Sequence, residues 1–545
     1  MIKLRFASPL DKFLPRHTLA DVGDFETFPI LTGETFAVHA VFADDGSFLK
    51  TPVTARVTCD GGAVKVYRVD SVPVRVPCYP EWNDDDYMTK EPFICPDVLC
   101  EICEDTLLYA PQRGLTMLRI EVSGLSAGEH SLTVTLESRD AQAPLTVSES
   151  ISFTVLETAL PKQRTTVMQI LHADCIASYY KVAPLSDRHF ELVEKWVRTA
   201  VENGINALYT PVFTPPMDTA VGGERPTVQL TGVSLRDGKW SFSFDLLDRW
   251  CDMALGAGVE YFEISHLFTQ WGAYHAPKVV AEVDGEIKKV FGWETDAAGE
   301  EYVTFIREFL IAFLAHMKKR GLDKRCIFHV SDEPSESQIE SYLSATRAVS
   351  DILADYVVAD ALSDVRFYTE GICKDPIPGT DHAEDFLEHI PEGLWVYYCC
   401  SQSTGVSNRY MAMPLSRVRV IGAQMWKAKA MGFLHWGYNF YFSQYSRYAV
   451  DPYKVTDGDY FAPAGDAFSV YPSEDGSAVA SIRLRTFYEA LCDIRALEAA
   501  EAKVGRAAVE AIVDDGIEGG LTFTRYPRGR EYIENLRRKI AEILE

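Results

Sequence analysis

At 545 residues the chain is several times the usual domain length of about 100–150 residues, so at least two cores are expected, one of them large. Its 79 acidic against 53 basic side chains give a formal charge of −26, which repels a phosphate backbone and argues against nucleic acid as a partner. With 47% hydrophobic and 24% charged residues, and no apolar run near the roughly 18 residues that span a bilayer, the composition speaks against long disorder and against an integral membrane protein.

The opening Met1–His17 carries Lys3 and Arg5 but no continuous apolar stretch and no small-residue cleavage site, so no secretory signal is read and a cytoplasmic location is expected. Up to about residue 160, short alternating runs recur between turn signals: Thr35–Phe42, Thr51–Thr58, Ala63–Val69, Thr116–Val122, His130–Leu136 and Glu149–Leu156. This is the rhythm of an antiparallel β-sandwich, with Leu132, Val134 and Leu136 turned inward and Thr133, Thr135 and Glu137 outward. Cys95, Cys100 and Cys103 form C-x4-C-x2-C, but no second CxxC or His pair accompanies them, so the 12 cysteines are read as reduced structural thiols and no metal is expected. The acidic loop Asn83–Asp86, flanked by Tyr79, Trp82 and Tyr87, reads as solvated.

After Pro161 the pattern becomes helical repeats alternating with short apolar runs, the mark of βα units, so residues 161–545 are expected to form a (β/α)8 TIM-like barrel with C-terminal closing helices from about Ala480. The helix over Tyr302–Arg320 shows one apolar stripe from Tyr302 to Met317. Four helices are expected to end at a glycine before the next strand, at Gly204, Gly258, Gly321 and Gly432. The strands read as Val167–Leu171, Ala207–Val212, Tyr261–Leu267, Cys326–Val330, Tyr356–Ala359, Leu394–Cys399 and Leu434–Phe440, with no glycine-rich phosphate loop after the first and no cofactor expected.

The segment Cys326–Pro334 is a buried strand that ends in Asp332, Glu333 and a proline. At the C-terminal rim of a barrel strand, adjacent carboxylates repel, and burial raises the pKa of one, leaving an acid beside a base as glycosidic cleavage requires. Pro334 is expected to keep Glu333 extended, with Ser335 or Ser337 capping the next helix and Glu340 completing a capping box to Ser337. Acids also cap helices with no catalytic role. His172, Tyr209, His266, Trp271, Tyr398, Trp426, Trp436, Tyr438 and Asn439 fall at or beyond expected strand ends, and aromatic faces with a few polar groups suit a sugar ring.

The segments His329–Pro334, Trp395–Cys400, Val418–Tyr441, Gly465–Pro472 and Ser481–Leu497, in this order, resemble glycoside hydrolase family 123, the β-N-acetylgalactosaminidases; Pro92–Cys100 and Ser126–Leu136 resemble its N-terminal part. The resemblance implies a retaining mechanism in which the substrate's 2-acetamido group is the nucleophile, Asp332 polarises that group and Glu333 is acid and then base. It also suggests Tyr398 as a partner of the acetamido carbonyl, and Trp426 and Trp436 as pocket walls. A glycosidase of other sugar specificity on the same scaffold and a non-catalytic glycan-binding protein remain alternatives. A homo-oligomer is compatible with the sequence.

Overall fold

The computed structural model describes residues 1–46, 50–139 and 144–545. The N-terminal region is β-rich and holds two five-stranded sheets. Inward residues of both, among them Val38, Leu118 and Ile120 from one and Val53, Leu132, Val134 and Leu136 from the other, form one apolar cluster. Leu132, Val134 and Leu136 are buried and Glu137 is exposed, the alternation a half-covered sheet demands. One pairing departs from the expected antiparallel pattern: Ile30–Thr32 runs parallel to Thr146–Ala159. After Thr32 the chain turns at Gly33 (φ 92°) into Phe36–Asp44 of the opposite sheet, so its direction is set by that crossing and not by a hairpin.

The outer face of the first sheet does not meet solvent. Tyr67, Val69, Cys95, Val98 and Met117 join the large core that also contains the second half of the chain. Buried ion pairs stitch the same junction: Arg483 grips Asp97 through two hydrogen bonds of 2.8 and 3.0 Å, and Arg119 donates to Glu121 (2.7 Å) and Glu489 (2.5 Å). The acidic loop takes part as well, against the expectation of a solvated loop. Asp84 accepts both Nη atoms of Arg417 at 2.8 Å and the Gly405 amide at 2.7 Å, because the Arg417 side chain is fully buried and needs a counter-charge. The C-x4-C-x2-C thiols point to separate partners: Cys95 to the Met411 carbonyl, Cys100 to Asp70 and Cys103 to Thr106.

Beyond Thr166 eight strands lie side by side in chain order, all parallel: β1 (Thr166–Gln169), β2 (Ala207–Thr210), β3 (Tyr261–Ile264), β4 (Cys326–Phe328), β5 (Val357–Ala361), β6 (Asp375–Ile377), β7 (Trp395–Tyr397) and β8 (Gly432–His435). A bridge between Gly379 and Tyr397 closes the sheet into a barrel-like ring. The period of two decides what faces the middle: Met168, Ala207, Ile327, Ala359, Ile377, Tyr397 and Leu434 fill the ring, while Val167, Leu208, Phe328, Val396 and Phe433 pack outward with the helices.

The helix Glu300–Lys319 buries its whole stripe, Tyr302 to Met317, each large side chain contributing roughly 1.5–3 kcal/mol. Gly204, Gly258 and Gly321 have φ of 78°, 100° and 69° and make the left-handed turns that end their helices. Gly432 does not; it lies in β8, Lys429 (φ 51°) makes the turn, and a Cβ at 432 would sit 2.1 Å from the Trp395 ring. Helices Ile482–Val504, Arg506–Val513 and Arg530–Leu544 finish the chain. Among the described residues no helix is long and apolar enough to cross a membrane.

Candidate active site

The segment after β4 is threaded between its neighbours. The Leu267 and Phe268 amides donate to the His329 and Val330 carbonyls, the Trp271 amide donates to the Asp332 carbonyl (2.9 Å), and the Glu333 amide donates to the Ala361 carbonyl at the end of β5 (3.1 Å). Pro334 excludes the helical conformation at Glu333 as expected, but the backbone is left-handed (φ 42°) and not extended. The capping box likewise sits earlier, between Ser335 and Gln338, because a short 3-10 turn begins at Glu336. Asp218 (φ 47°) and Trp271 (φ 56°) share the left-handed conformation. Such positions cost about 1–3 kcal/mol each for non-glycine residues and gather at functional sites.

All three border one cavity of about 150 Å³ at the C-terminal mouth of the barrel. This is below the ~300–1,000 Å³ of drug-sized ligand sites and suits a single ring. Asp218, Glu263, Asp332 and Glu333 bring carboxyls to it; Trp271, Tyr397, Trp436 and Phe461 bring aromatic surface; His266, His329, Cys399 and Cys400 complete much of the wall. The Tyr397 hydroxyl donates to Glu333 Oε1 at 2.7 Å.

Charge is distributed unevenly. His329 Nε2 lies 3.1 Å from Glu263 and Nδ1 3.7 Å from Asp360, and those two carboxylates overcome burial to push its pKa up to about 10. His266 stacks on it with ring centres 4.6 Å apart and, by burial and that positive neighbour, is held far below the usual range, so it is neutral. Asp332 is pushed far up by burial, then by Glu333 and Asp218; Glu333 is pushed up by burial, opposed by the Tyr397 hydrogen bond. Asp466, fully buried, and Asp218, half-buried but enclosed by protein, are each raised to about 7 by desolvation. Asp332 and Glu333 keep some contact with solvent through the mouth, but protein surrounds them, and their mutual repulsion favours protonation of the pair.

The glycoside hydrolase 123 catalytic domain model matches residues 171–500, more than half of the chain. The chain belongs to glycoside hydrolase family 123. A solved family 123 glycoside hydrolase from Clostridium perfringens, described for glycolipid glycan hydrolysis, aligns over 100% of this chain and 97% of its own at 13% identity, with a TM-score of 0.74, which shows a common fold. A β-glucuronidase from Parabacteroides merdae aligns over 86% of this chain and 51% of its own at 11% identity and a TM-score of 0.27. Comparison with curated proteins gives no match.

Within this family 123 chain, Asp332, Glu333, His266, Trp271 and Trp436 line the cavity. Tyr209 lies just behind it, its hydroxyl 3.3 Å from His266 Nδ1. His172 is a support: Arg225 donates to its Nδ1 (3.1 Å), leaving Nε2–H to donate to the Trp436 carbonyl (2.8 Å). Asn439 holds His172 in turn, accepting its amide at 2.7 Å. Three residues expected at the sugar lie elsewhere. Tyr398, the residue after β7, points outward against Phe433 and His435, because alternation gives the inward place to Tyr397. Trp426 sits in helix Ile421–Lys427 under the Arg506 guanidinium (3.6 Å), and the Tyr438 hydroxyl donates to the Trp196 carbonyl.

Asp218, Glu263, Tyr397, Phe461 and Asp466 were not anticipated at the site. Glu263 had a signal, a lone acid inside the apolar strand Tyr261–Leu267, and Tyr397 had the strand period. Asp466 accepts Trp436 Nε1 at 2.8 Å; it comes from far along the chain, and only the Gly465–Pro472 segment marked it.

Proposed function

We propose that the chain is a retaining, exo-acting glycosidase that removes a terminal β-linked N-acetylgalactosamine with the substrate's 2-acetamido carbonyl as nucleophile. The observation that carries this reading is that Asp332 and Glu333, adjacent in sequence, face one ring-sized cavity. Neighbouring side chains cannot flank a sugar from opposite faces as a direct nucleophile and an acid must, and a nucleophile borne by the substrate removes that demand.

In this scheme Glu333 protonates the glycosidic oxygen as the acetamido carbonyl oxygen attacks C1, giving an oxazolinium ion and a free alcohol. Glu333 then takes a proton from water as the water oxygen attacks C1 and the ring opens. Asp332, ionised, accepts the acetamido N–H and balances the positive charge that develops there. Burial pushes both carboxyls up, and the substrate N–H favours the Asp332 anion, leaving the proton on Glu333. Tyr397 positions the Glu333 carboxyl through its hydroxyl. Trp271, Trp436 and Phe461 supply faces for the ring. The steps use these side chains, the substrate amide and one water. The choice of galactosamine rests on the motif resemblance, and we read the architecture as a β-sandwich (1–160) ahead of a (β/α)8 catalytic unit (161–545).

A panel of aryl β-glycosides with and without the 2-acetamido group tests the reading. Turnover should be confined to 2-acetamido sugars, highest for the galacto epimer, and an oxazoline-mimicking thiazoline should inhibit. Equal turnover of 2-hydroxy sugars would remove the substrate-assisted mechanism, and an intact substrate after long incubation would favour a binding protein.

A further inference from the structure

The mechanism leaves one pair of reactive groups in the cavity unused. Cys399 and Cys400, consecutive residues beyond β7, both border it, the first buried and the second half-buried. Cys399 Sγ lies 3.9 Å from Glu333 Oε1 and accepts the Ser401 amide at 3.5 Å. An amide aimed at a sulfur steadies the negative charge that the sulfur carries once it has lost its proton to a metal. The two thiols also feel each other: the Cys400 thiol, ahead of burial, pushes the Cys399 pKa far up, so Cys399 keeps its proton at neutral pH.

We infer that Cys399 and Cys400 together bind a soft monovalent cation of the copper(I) class, held between the two sulfurs, and that the bound ion stops turnover. Such an ion is content with two sulfur ligands, and thiolates select it over harder ions. Among the described residues no three or more His, Cys, Asp or Glu side chains are grouped to hold a metal, so an ion that needs four ligands, such as zinc, is not served. Binding sends both thiol protons to solvent: two S–H bonds break, two S–Cu bonds form, and no electron is transferred. Carboxyls crowd the cavity and oppose a bare thiolate, and the same charges favour a cation in the protons' place. Disulfide closure within the pair is disfavoured, because neighbouring Cα atoms stand about 3.8 Å apart where ordinary disulfides span roughly 4.4–6.8 Å. The peptide between the cysteines is also pinned, since the Cys399 carbonyl accepts the Gln402 amide (3.2 Å), Asn408 Nδ2 (2.8 Å) and the Tyr410 hydroxyl (2.8 Å). A bridging ion leaves that peptide in place. One cation replaces two protons, so the cavity beside Glu333 becomes more negative and Glu333 gives up its proton less readily. The binding stands apart from the proposed function; the loss of turnover rests on it.

The test supplies copper(I) to the reduced protein without oxygen, in an excess of glutathione that strips metal from single thiols, and measures the copper retained after desalting. The parent should keep about one copper per chain, because only a two-sulfur site gains from effective concentration against glutathione. Cys399→Ser and Cys400→Ser should keep none, and Cys103→Ser, which removes an exposed thiol elsewhere, should keep it. If one serine variant fails to fold, the other carries the comparison. On an aryl 2-acetamido glycoside, copper should lower the parent's kcat/KM at least about tenfold, while each serine variant keeps its own metal-free value. No copper on the parent, retention unchanged in the serine variants, undiminished turnover by the loaded parent, or loss of two hydrogens from the pair by mass spectrometry in place of metal overturns the inference. If the metal-free parent cleaves no glycoside, the proposed function has failed, and copper retention alone decides the site.

Discussion

Two regions of this molecule bury charge in opposite ways. Where the N-terminal sheets meet the C-terminal helices, buried and half-buried acids face buried arginines: Asp97 with Arg483, Glu489 with Arg119 and Arg419, Asp493 with Arg419. At the barrel mouth Asp218, Asp332, Glu333 and Asp466 crowd together, while Arg225 is spent on Asp174 through two 2.7 Å hydrogen bonds and Arg409 donates to the Asp466 carbonyl (3.0 Å). Paired charge at a junction fixes how parts fit; unpaired charge in a cavity stores a proton and waits for a ligand.

The contrast is sharpest if removing one charge ruins catalysis at the mouth and stability at the junction. Glu333→Gln should lower kcat/KM on an aryl 2-acetamido glycoside by about 10²- to 10⁴-fold, with a melting temperature equal to or above the parent's because a like-charge contact is relieved. A stability loss with activity retained would reverse the assignment. At the junction, Arg483→Met strands Asp97 in the core and should cost about 3–5 kcal/mol in urea unfolding, most of it regained when Asp97→Leu is added.

The pH dependence separates the regions further. The Asp466 pKa rises on folding from an ordinary 3.8 to about 7, so the folded protein binds more protons than the unfolded chain across that interval. Stability from this group is therefore lost as pH rises from about 4 to about 7, with a ceiling of about 4 kcal/mol. Asp466→Asn, which keeps an acceptor for Trp436, should flatten that slope; an unchanged slope in pH-resolved melting would place its origin elsewhere. The smallest effects distinguish the adjacent tyrosines at the end of β7. Tyr397→Phe should reduce kcat/KM about tenfold, while Tyr398→Phe should leave kcat/KM alone and change stability by no more than about 1 kcal/mol, since the buried Tyr398 hydroxyl has no hydrogen-bond partner.

That pair also shows what a sequence can carry. The acids were legible because Asp332 and Glu333 follow a short apolar strand and precede a proline, and seven of the eight ring strands were legible from apolar runs between helices. The sixth, Asp375–Ile377, is three residues long and contains Pro376, too short for any period to register. Tyr397 and Tyr398 look alike in composition, and only the exact register of β7 says which one enters the ring. Asp218, Phe461 and Asp466 come from loops whose path is set by tertiary packing, so nothing local marks them as neighbours of Glu333.

The grip of Asp84 on Arg417 and on the Gly405 amide has an evolutionary corollary. The stretch from Ser401 to Gly405 follows β7, and its first residues edge a groove beside Glu333. Tyr87 fastens the same stretch through the Ser403 carbonyl. Natural recombination that exchanged the first 160 residues for another β unit would therefore have to supply an equivalent acid and phenol, or release the edge of its own catalytic mouth.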